Sequence, residues 1–266
     1  MDKNLNHEYW TNRASSTNSA IFATSNNQTI KNLEVSAILQ CVKHLNLDTG
    51  NILEVGCGQG INLYLIKNSL SSSGLFGFDF VKEMILEGAK IVEDSNIKLS
   101  VGDIREPSSW PNMCEFFNII FSVRSLINLA SAEEQLNAIG DMVNRLADNG
   151  AIILIENFKE LRENQNSLRE AAGLAKRPTP EFNKFLTLEV IEQACQKYGL
   201  QVTLSYEHAY FHDLIVYLMD CDSKANLNYD SLWAKRAAHL DELTFEKKLT
   251  QIRGIGQALT LVLQRI

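Results

Sequence analysis

Residues 52–60, ILEVGCGQG, carry the clearest chemical signal in this 266-residue chain. An apolar strand (Ile52, Leu53, Val55) runs into glycines at every second position, Gly56, Gly58 and Gly60, with Cys57 between the first two. An apolar, helix-compatible segment follows: Ile61, Leu63, Leu65 and Ile66. Glycine turns the backbone tightly and lets a ligand approach without meeting a Cβ. A helix start behind such a turn offers free N–H groups. The expected unit is a strand–turn–helix cradle for a nucleotide-like ligand. Two details narrow that ligand. The G-x-G-x-G spacing departs from the G-x-G-x-x-G of dinucleotide folds, because position 61 is Ile. Glu54 places a carboxylate two residues before the first glycine. It would repel a pyrophosphate and suits a cationic amino-acid ligand.

More candidate groups stand at later strand ends. A second strand, 75–78, ends in Asp79-Phe80, and Asp79 lies 19 residues past Gly60. An acidic residue about 20 residues on is where a ribose is held by its hydroxyls in this topology. A third strand, 97–101, is followed by Asp103-Ile104, and a carboxylate there can accept from an adenine amino group. The run 116–123, FFNIIFSV, is nearly all apolar, as for a central strand covered on both faces. It ends at Ser122, Arg124 and Asn128, and the fifth strand, 151–155, ends at Glu156. Arg124, Asn128 and Glu156 are the candidate contacts to a second substrate.

The elements that position these groups follow from periodicity. Apolar residues at 35, 38, 39, 42 and 45 mark one helical face. Another helix runs over 82–92. Ser131 and Glu134 form a capping-box pattern ahead of Leu136, Ile139 and Val143. Residues 158–187 read as a charged connector holding Pro178 and Pro180, and 188–198 as a helix stopped by Gly199. A sixth strand, 200–206, can pair antiparallel with a last one at 258–263. Residues 207–253 between them form an insertion of helical or mixed character. Residues 1–29 are polar, yet Tyr9, Trp10, Ile21 and Phe22 have no reason to sit in a free tail. They predict a lid over the ligand site, with Tyr9 and Arg13 reaching the ligand. The expectation is one α/β domain over 1–266, doubly wound, with a lid at 1–29 and an acceptor-binding insertion at 207–253.

Composition excludes several classes. With 45% hydrophobic and 21% charged residues the chain is an ordinary globular one. A formal charge of −7 gives no support to binding a nucleic-acid backbone. The five cysteines are scattered without a C-x-x-C, which fits a reduced, cytoplasmic protein and predicts no zinc site. No apolar run approaches a membrane span, and MDKNLNHEYW lacks the apolar centre of a signal peptide.

Glu54 with the three glycines, then Asp79, Asp103 and 117–123, occur in the order and spacing of class I S-adenosylmethionine (SAM)-dependent methyltransferases, which the chain resembles over about 31–157. The resemblance implies a Rossmann-like seven-stranded sheet of order 3-2-1-4-5-7-6 with the seventh strand antiparallel. It implies that the glycine loop faces the methionine part of SAM, Asp79 the ribose and Asp103 the adenine, with S-adenosylhomocysteine (SAH) as product. SAM carries an ammonium and a sulfonium and no phosphate, in keeping with Glu54. FSVRSLINL, IENF, GQALTLVLQR and HEYWTNR are similar to segments of small-molecule methyltransferases from bacterial sugar and surface-polysaccharide gene clusters. The N-P-P-[YF] pattern of nucleobase and glutamine amino-methyltransferases is absent where SVRSLIN stands.

The resulting expectation is methyl transfer to a small molecule, foremost a sugar or glycan hydroxyl, by a monomer or homodimer. A hydroxyl needs a general base. His208 and His212, flanking Tyr210-Phe211 at the mouth of the insertion, are the candidate catalytic residues, with Tyr210 against the substrate. No metal cluster is evident. Other readings stay open: O- or N-methylation of another metabolite, a nicotinamide oxidoreductase on a similar sheet, and a SAM-binding regulator without catalysis.

Overall fold

The computed structural model describes residues 3–16, 27–71, 74–93, 95–110, 114–219, 227–246 and 254–266. Ile21, Phe22 and Cys221 lie outside them.

Seven strands form one sheet in the order β3-β2-β1-β4-β5-β7-β6. They are β1 (Asn51–Val55), β2 (Gly74–Asp79), β3 (Ile97–Val101), β4 (Phe117–Val123), β5 (Leu146–Asn157), β6 (Leu200–Tyr206) and β7 (Ala258–Arg265). β1 to β5 pair in parallel. β7 runs antiparallel between β5 and β6. This is the α/β, Rossmann-like arrangement implied by the sequence. β5 starts five residues earlier than its apolar run, because Leu146 already pairs with Phe117 before the register shifts.

Alternation along the central strands supplies two apolar faces, since successive side chains point to opposite sides. Leu53, Ile120, Ile152 and Leu154 face the helices α5 (Ala132–Asn144) and α7 (Leu188–Tyr198), which bring Ile139, Met142, Val190 and Ile191. Ile52, Phe121, Ile153 and Ile155 face α2 (Gln28–Leu45) and α3 (Ile61–Ile66), which bring Ile38, Val42, Leu63 and Ile66. Helix starts follow the capping rule. Asn27 accepts from Ile30 N–H, Ser131 from Glu134 N–H and Thr187 from Val190 N–H. The Glu134 carboxylate reaches back to Ala130 N–H at 2.9 Å, which closes the box one residue earlier than expected.

The connector 158–187 contains a helix that its sequence hides. α6 (Lys159–Ala171) buries Leu161, Arg162, Gln165 and Arg169. Three of these four are polar, so apolar periodicity is silent over it. The N-terminal segment contains α1 (Lys3–Ser16), and α4 (Lys82–Val92) follows β2. Ala14 is buried with Val81 and Met84, and Trp10 packs beside them, so α1 lies on the start of α4. The insertion after β6 holds α8 (Tyr210–Leu214), a π-helical turn (Ile215–Met219) and α9 (Leu232–Glu246). Among the described residues no helix is long and apolar enough to cross a membrane.

Candidate functional site

A cleft of about 350 Å³ opens along the carboxyl ends of β1 to β5 and runs on to the start of β7. That size lies within the range of small-molecule sites. Strand order dictates its layout. Asp103 follows β3, Asp79 ends β2, Gly56 and Gly58 follow β1, Arg124 follows β4, Asn157 ends β5 and Gln257 precedes β7.

The glycine turn forms as its sequence predicts. Gly56, Gly58 and Gly60 have φ of 67°, 55° and 71°, the left-handed region that disfavours side chains. A Cβ at Gly56 would stand 1.9 Å from Ser125 Oγ, so only glycine lets β1 exit against the β4 loop. Gly60 lies off the cleft and packs on the Leu99 side chain. Asp79 ties the turn down: its Oδ2 accepts from Gly58 N–H and its Oδ1 from Val81 N–H, each at 2.9 Å. Burial pushes its carboxyl up to about 6 against those two hydrogen bonds.

Glu54 is the unusual group of the turn. It is 1% exposed, and its Oε1 accepts from Asn62 Nδ2 at 2.6 Å. Its Oε2 is buried with no hydrogen-bond partner among the described residues. Burial pushes this carboxyl up to about 8. A buried polar network continues from it. Asn62 Oδ1 accepts from Lys31 Nζ at 2.9 Å, and Lys31 pairs with Glu34 at 2.8 Å. Glu34 in turn pairs with Arg124 at 2.6 Å. Although burial opposes it, the two cations hold Glu34 down at about 2. Lys31 and Asn62 carry no motif of their own, and the sequence reading missed them.

At the β3 end, Asp103 is engaged by Arg105, whose Nε lies 2.8 Å from Oδ1 and whose Nη2 also contacts the carboxylate. Any further donor in the cleft would share Asp103 with this guanidinium. Phe80 stands under Arg105 at 5.9 Å and beside His7 of α1 at 5.6 Å. α1 forms the roof here. Tyr9, Trp10 and Arg13 line the cleft, and Tyr9 stacks on Phe182 across it at 4.5 Å.

Of the residues named from sequence, Tyr9, Arg13, Glu54, Gly56, Cys57, Gly58, Asp79, Phe80, Asp103, Ile104, Arg124 and Asn128 line this cleft. Six others do not, and their surroundings explain why. Gly60 is occupied by the packing described above. Ser122 donates to Glu156 Oε1 at 2.6 Å, and the same oxygen accepts from Ser125 and Leu126 N–H at 3.1 Å. Glu156 thus holds the loop after β4 and is fully buried, and burial pushes it up to about 7. His208 is buried with Nδ1 2.9 Å from Thr260 Oγ1. His212 is enclosed by Asp213 and the Tyr229 carbonyl, each at 3.2 Å. Tyr210 packs edge-on against Phe211 at 5.0 Å. The insertion therefore sets His208 and His212 into packing, while the far wall of the cleft comes from β5, α6, the segment behind α6 and the residue before β7. Asn157, Arg162, Arg177, Phe182, Phe185 and Gln257 line it, and all were missed from sequence.

A Rossmann-like sheet with a reversed seventh strand and an acid-bearing glycine turn over a cleft is the architecture of class I methyltransferases. The model of the methyltransferase domain family matches residues 30–205, and the chain belongs to that family. None of the curated proteins matches it. Among solved structures it is similar in fold to the N-methyltransferase NodS from Bradyrhizobium japonicum WM9 in complex with SAH. That match has a TM-score of 0.58 and 13% identity over 97% of this chain and 96% of that one. A SAM-dependent methyltransferase from Clostridium acetobutylicum ATCC 824 gives a TM-score of 0.54 at 13% identity, covering 88% of this chain and 91% of that one. The [4+2]-cyclase SpnF gives 0.55 at 15% identity, covering 88% of this chain and 81% of that one. The fold is thus shared with an enzyme named for a different reaction, and activity has to be argued from the site.

Proposed function

We propose that the chain binds SAM in the β1–β3 half of the cleft and transfers its methyl group to a small molecule in the β4–β7 half. The observation that carries this is the buried Glu54 Oε2, without a partner, in the cleft wall beside the left-handed glycines. A lone carboxylate oxygen in a dry wall invites a cation, and the amino-acid end of SAM brings an ammonium. Asp79 retains lone pairs for ribose hydroxyls beyond the two N–H groups it already accepts. Phe80, Ile104 and Met84 offer an apolar surface for a base. When bound, SAM supplies a methyl carbon activated by its sulfonium. The protein's tasks are to align the acceptor and exclude water.

Arg124 and Asn128 are assigned to the acceptor side, joined by Asn157, whose buried Oδ1 has no partner among the described residues. The finer reading, a sugar or glycan hydroxyl as acceptor, comes from the sequence resemblance. The stacked rings of Tyr9 and Phe182 close the cleft over this side. α1 acts in this proposal as the lid.

Calorimetric titration with SAH tests the cofactor half. Release of SAH over a panel of sugar nucleotides, glycans and small metabolites tests transfer. Failure to bind SAH at submillimolar concentration would sink the proposal. Binding without turnover on any acceptor class would favour a SAM-dependent regulator.

A further inference from the structure

The acids and the arginines of the cleft are unevenly placed. Its acids, Glu54, Asp79 and Asp103, all stand on or just past β1 to β3, where Lys31 and Arg105 accompany them. The β4–β7 half contributes no acidic side chain among the described residues and contains three arginines, in a chain of formal charge −7. Arg124 is paired with Glu34. Arg162 and Arg177 differ. Both donate to one neutral acceptor, Gln257 Oε1, at 3.0 and 2.9 Å, and Arg177 also donates to Gln165 Oε1 at 2.6 Å. Neither forms an ion pair with a carboxylate among the described residues. Arg162 is 6% exposed, and its Nε has no hydrogen-bond partner among the described residues. Its guanidinium lies 5.1 Å from the Phe185 ring, and that of Arg177 lies 3.6 Å from the Tyr217 ring. The rings support both planes, and both residues line the cleft.

The shared amide is itself held in place. The Glu207 carboxylate collects the N–H groups of Gly254, Ile255 and Gly256. Asp213 accepts from Gln257 N–H at 2.6 Å. Asp213 also lies 3.2 Å from His212 Nδ1. Burial, reinforced by the charge of Arg177 and opposed by Asp213, pulls Arg162 down to about 10, and an oxyanion bound to both guanidiniums would offset their repulsion. Two guanidiniums, that of Arg162 buried and that of Arg177 half-buried, converge on one amide at the end of the cleft away from its acids and form a receptor for an oxyanion.

We propose that the methyl acceptor carries an anionic oxygen group, a carboxylate or a phosphate, which Arg162 and Arg177 hold while the rest of the molecule extends toward the β1 turn. This rests on the reading of the other half as the SAM site. The arginines also repel the sulfonium, which keeps the cofactor out of their half.

The test is calorimetry with benzoate, phenyl phosphate and neutral benzamide, each titrated into the protein with and without saturating SAH. At least one anion should bind about tenfold or more tighter than benzamide, and the tighter of the two identifies the acceptor's group. R162Q and R177Q should each lose about tenfold or more for that anion and keep SAH affinity. Wild-type protein that binds both anions no better than benzamide would overturn the proposal, even if both variants fail to fold. So would anion binding unchanged in folded R162Q and R177Q. Anion binding by a protein that does not bind SAH would overturn its assignment as the acceptor subsite and would refute the SAM reading separately.

Discussion

The guanidinium of Arg124 lies 2.6 Å from the carboxylate of Glu34, which joins the residue leaving β4 to the inner face of α2. Arg124 takes a left-handed backbone, φ 52°, which a non-glycine residue adopts at a cost of roughly 1–3 kcal/mol. The ion pair and the hydrogen bond from Arg124 N–H to the Ile155 carbonyl at 2.9 Å hold it there. Through Glu34, Lys31 and Asn62 the same network ends on Glu54, so the two halves of the cleft share one buried framework.

The first prediction concerns Glu54. Burial raises its folded pKa to about 8, far above that of an exposed carboxyl near 4.5. Between those values the folded protein holds a proton that the unfolded chain releases. Stability therefore falls as pH rises through this window and levels off above it. The amide introduced by Glu54→Gln cannot titrate. E54Q and wild type should melt alike near pH 5, and the variant should melt progressively higher toward pH 9. For the cationic cofactor the order reverses: E54Q should bind SAM about 10–100-fold more weakly at pH 8.5, the value of a charge-assisted hydrogen bond of about 1.5–3 kcal/mol. A melting gap that ignores pH would refute the burial argument, and unchanged SAM affinity the ammonium contact.

Asp79 gives the second. Its two oxygens hold Gly58 and Val81 N–H and, in our proposal, face the ribose. Asp79→Ala should weaken SAH and SAM by about 10–100-fold. With its carboxyl raised to about 6, wild-type affinity should also fall below that pH as the group protonates. Calorimetry at pH 5, 6 and 7 measures both, and an affinity flat across that range would remove Asp79 from the ribose.

These two sites were readable in the sequence because their signals are local. Alternating glycines, an acid before them and acids after strand ends can each be recognised within a few residues. The sheet was legible for a related reason, since Ile119–Phe121 and Ile152–Ile155 are apolar on both faces wherever they pair. The acceptor wall had no such signal. α6 shows a polar face to the interior, and Arg162 meets Arg177 and Gln257 across 15 and 95 residues of sequence. The surroundings of the histidines were hidden for the same reason: His208 was read by position, and its partner Thr260 lies 52 residues away.

The third prediction addresses the roof. α1 rests on α4 through Trp10, Ala14, Val81 and Met84, and its Tyr9 reaches Phe182 on the opposite wall. A ligand beneath α1 would add to these contacts and hold the helix down. Saturating SAH should slow amide exchange over 3–16, and Trp10→Ala should weaken SAH by about tenfold or less. Identical exchange with and without SAH would dispose of the lid.

The last prediction separates packing from chemistry at His208. The imidazole is 6% exposed, its Nδ1 is bonded to Thr260 on β7, and it does not line the cleft. Burial pulls its pKa down, with Glu34 and Asp213 opposing. It is therefore neutral at pH 7 and stabilises the fold as a satisfied buried group. His208→Ala leaves the Thr260 hydroxyl without that partner and opens space between β6 and α8, which should cost about 1–3 kcal/mol. The melting temperature should drop by several degrees, while SAH affinity and turnover, on whichever acceptor the panel identifies, stay within about threefold. His208→Asn can restore a bond to Thr260 and should recover part of the stability. The opposite pattern, wild-type melting with turnover reduced by about 10²–10⁴, is that of a lost general base and would return His208 to the chemistry.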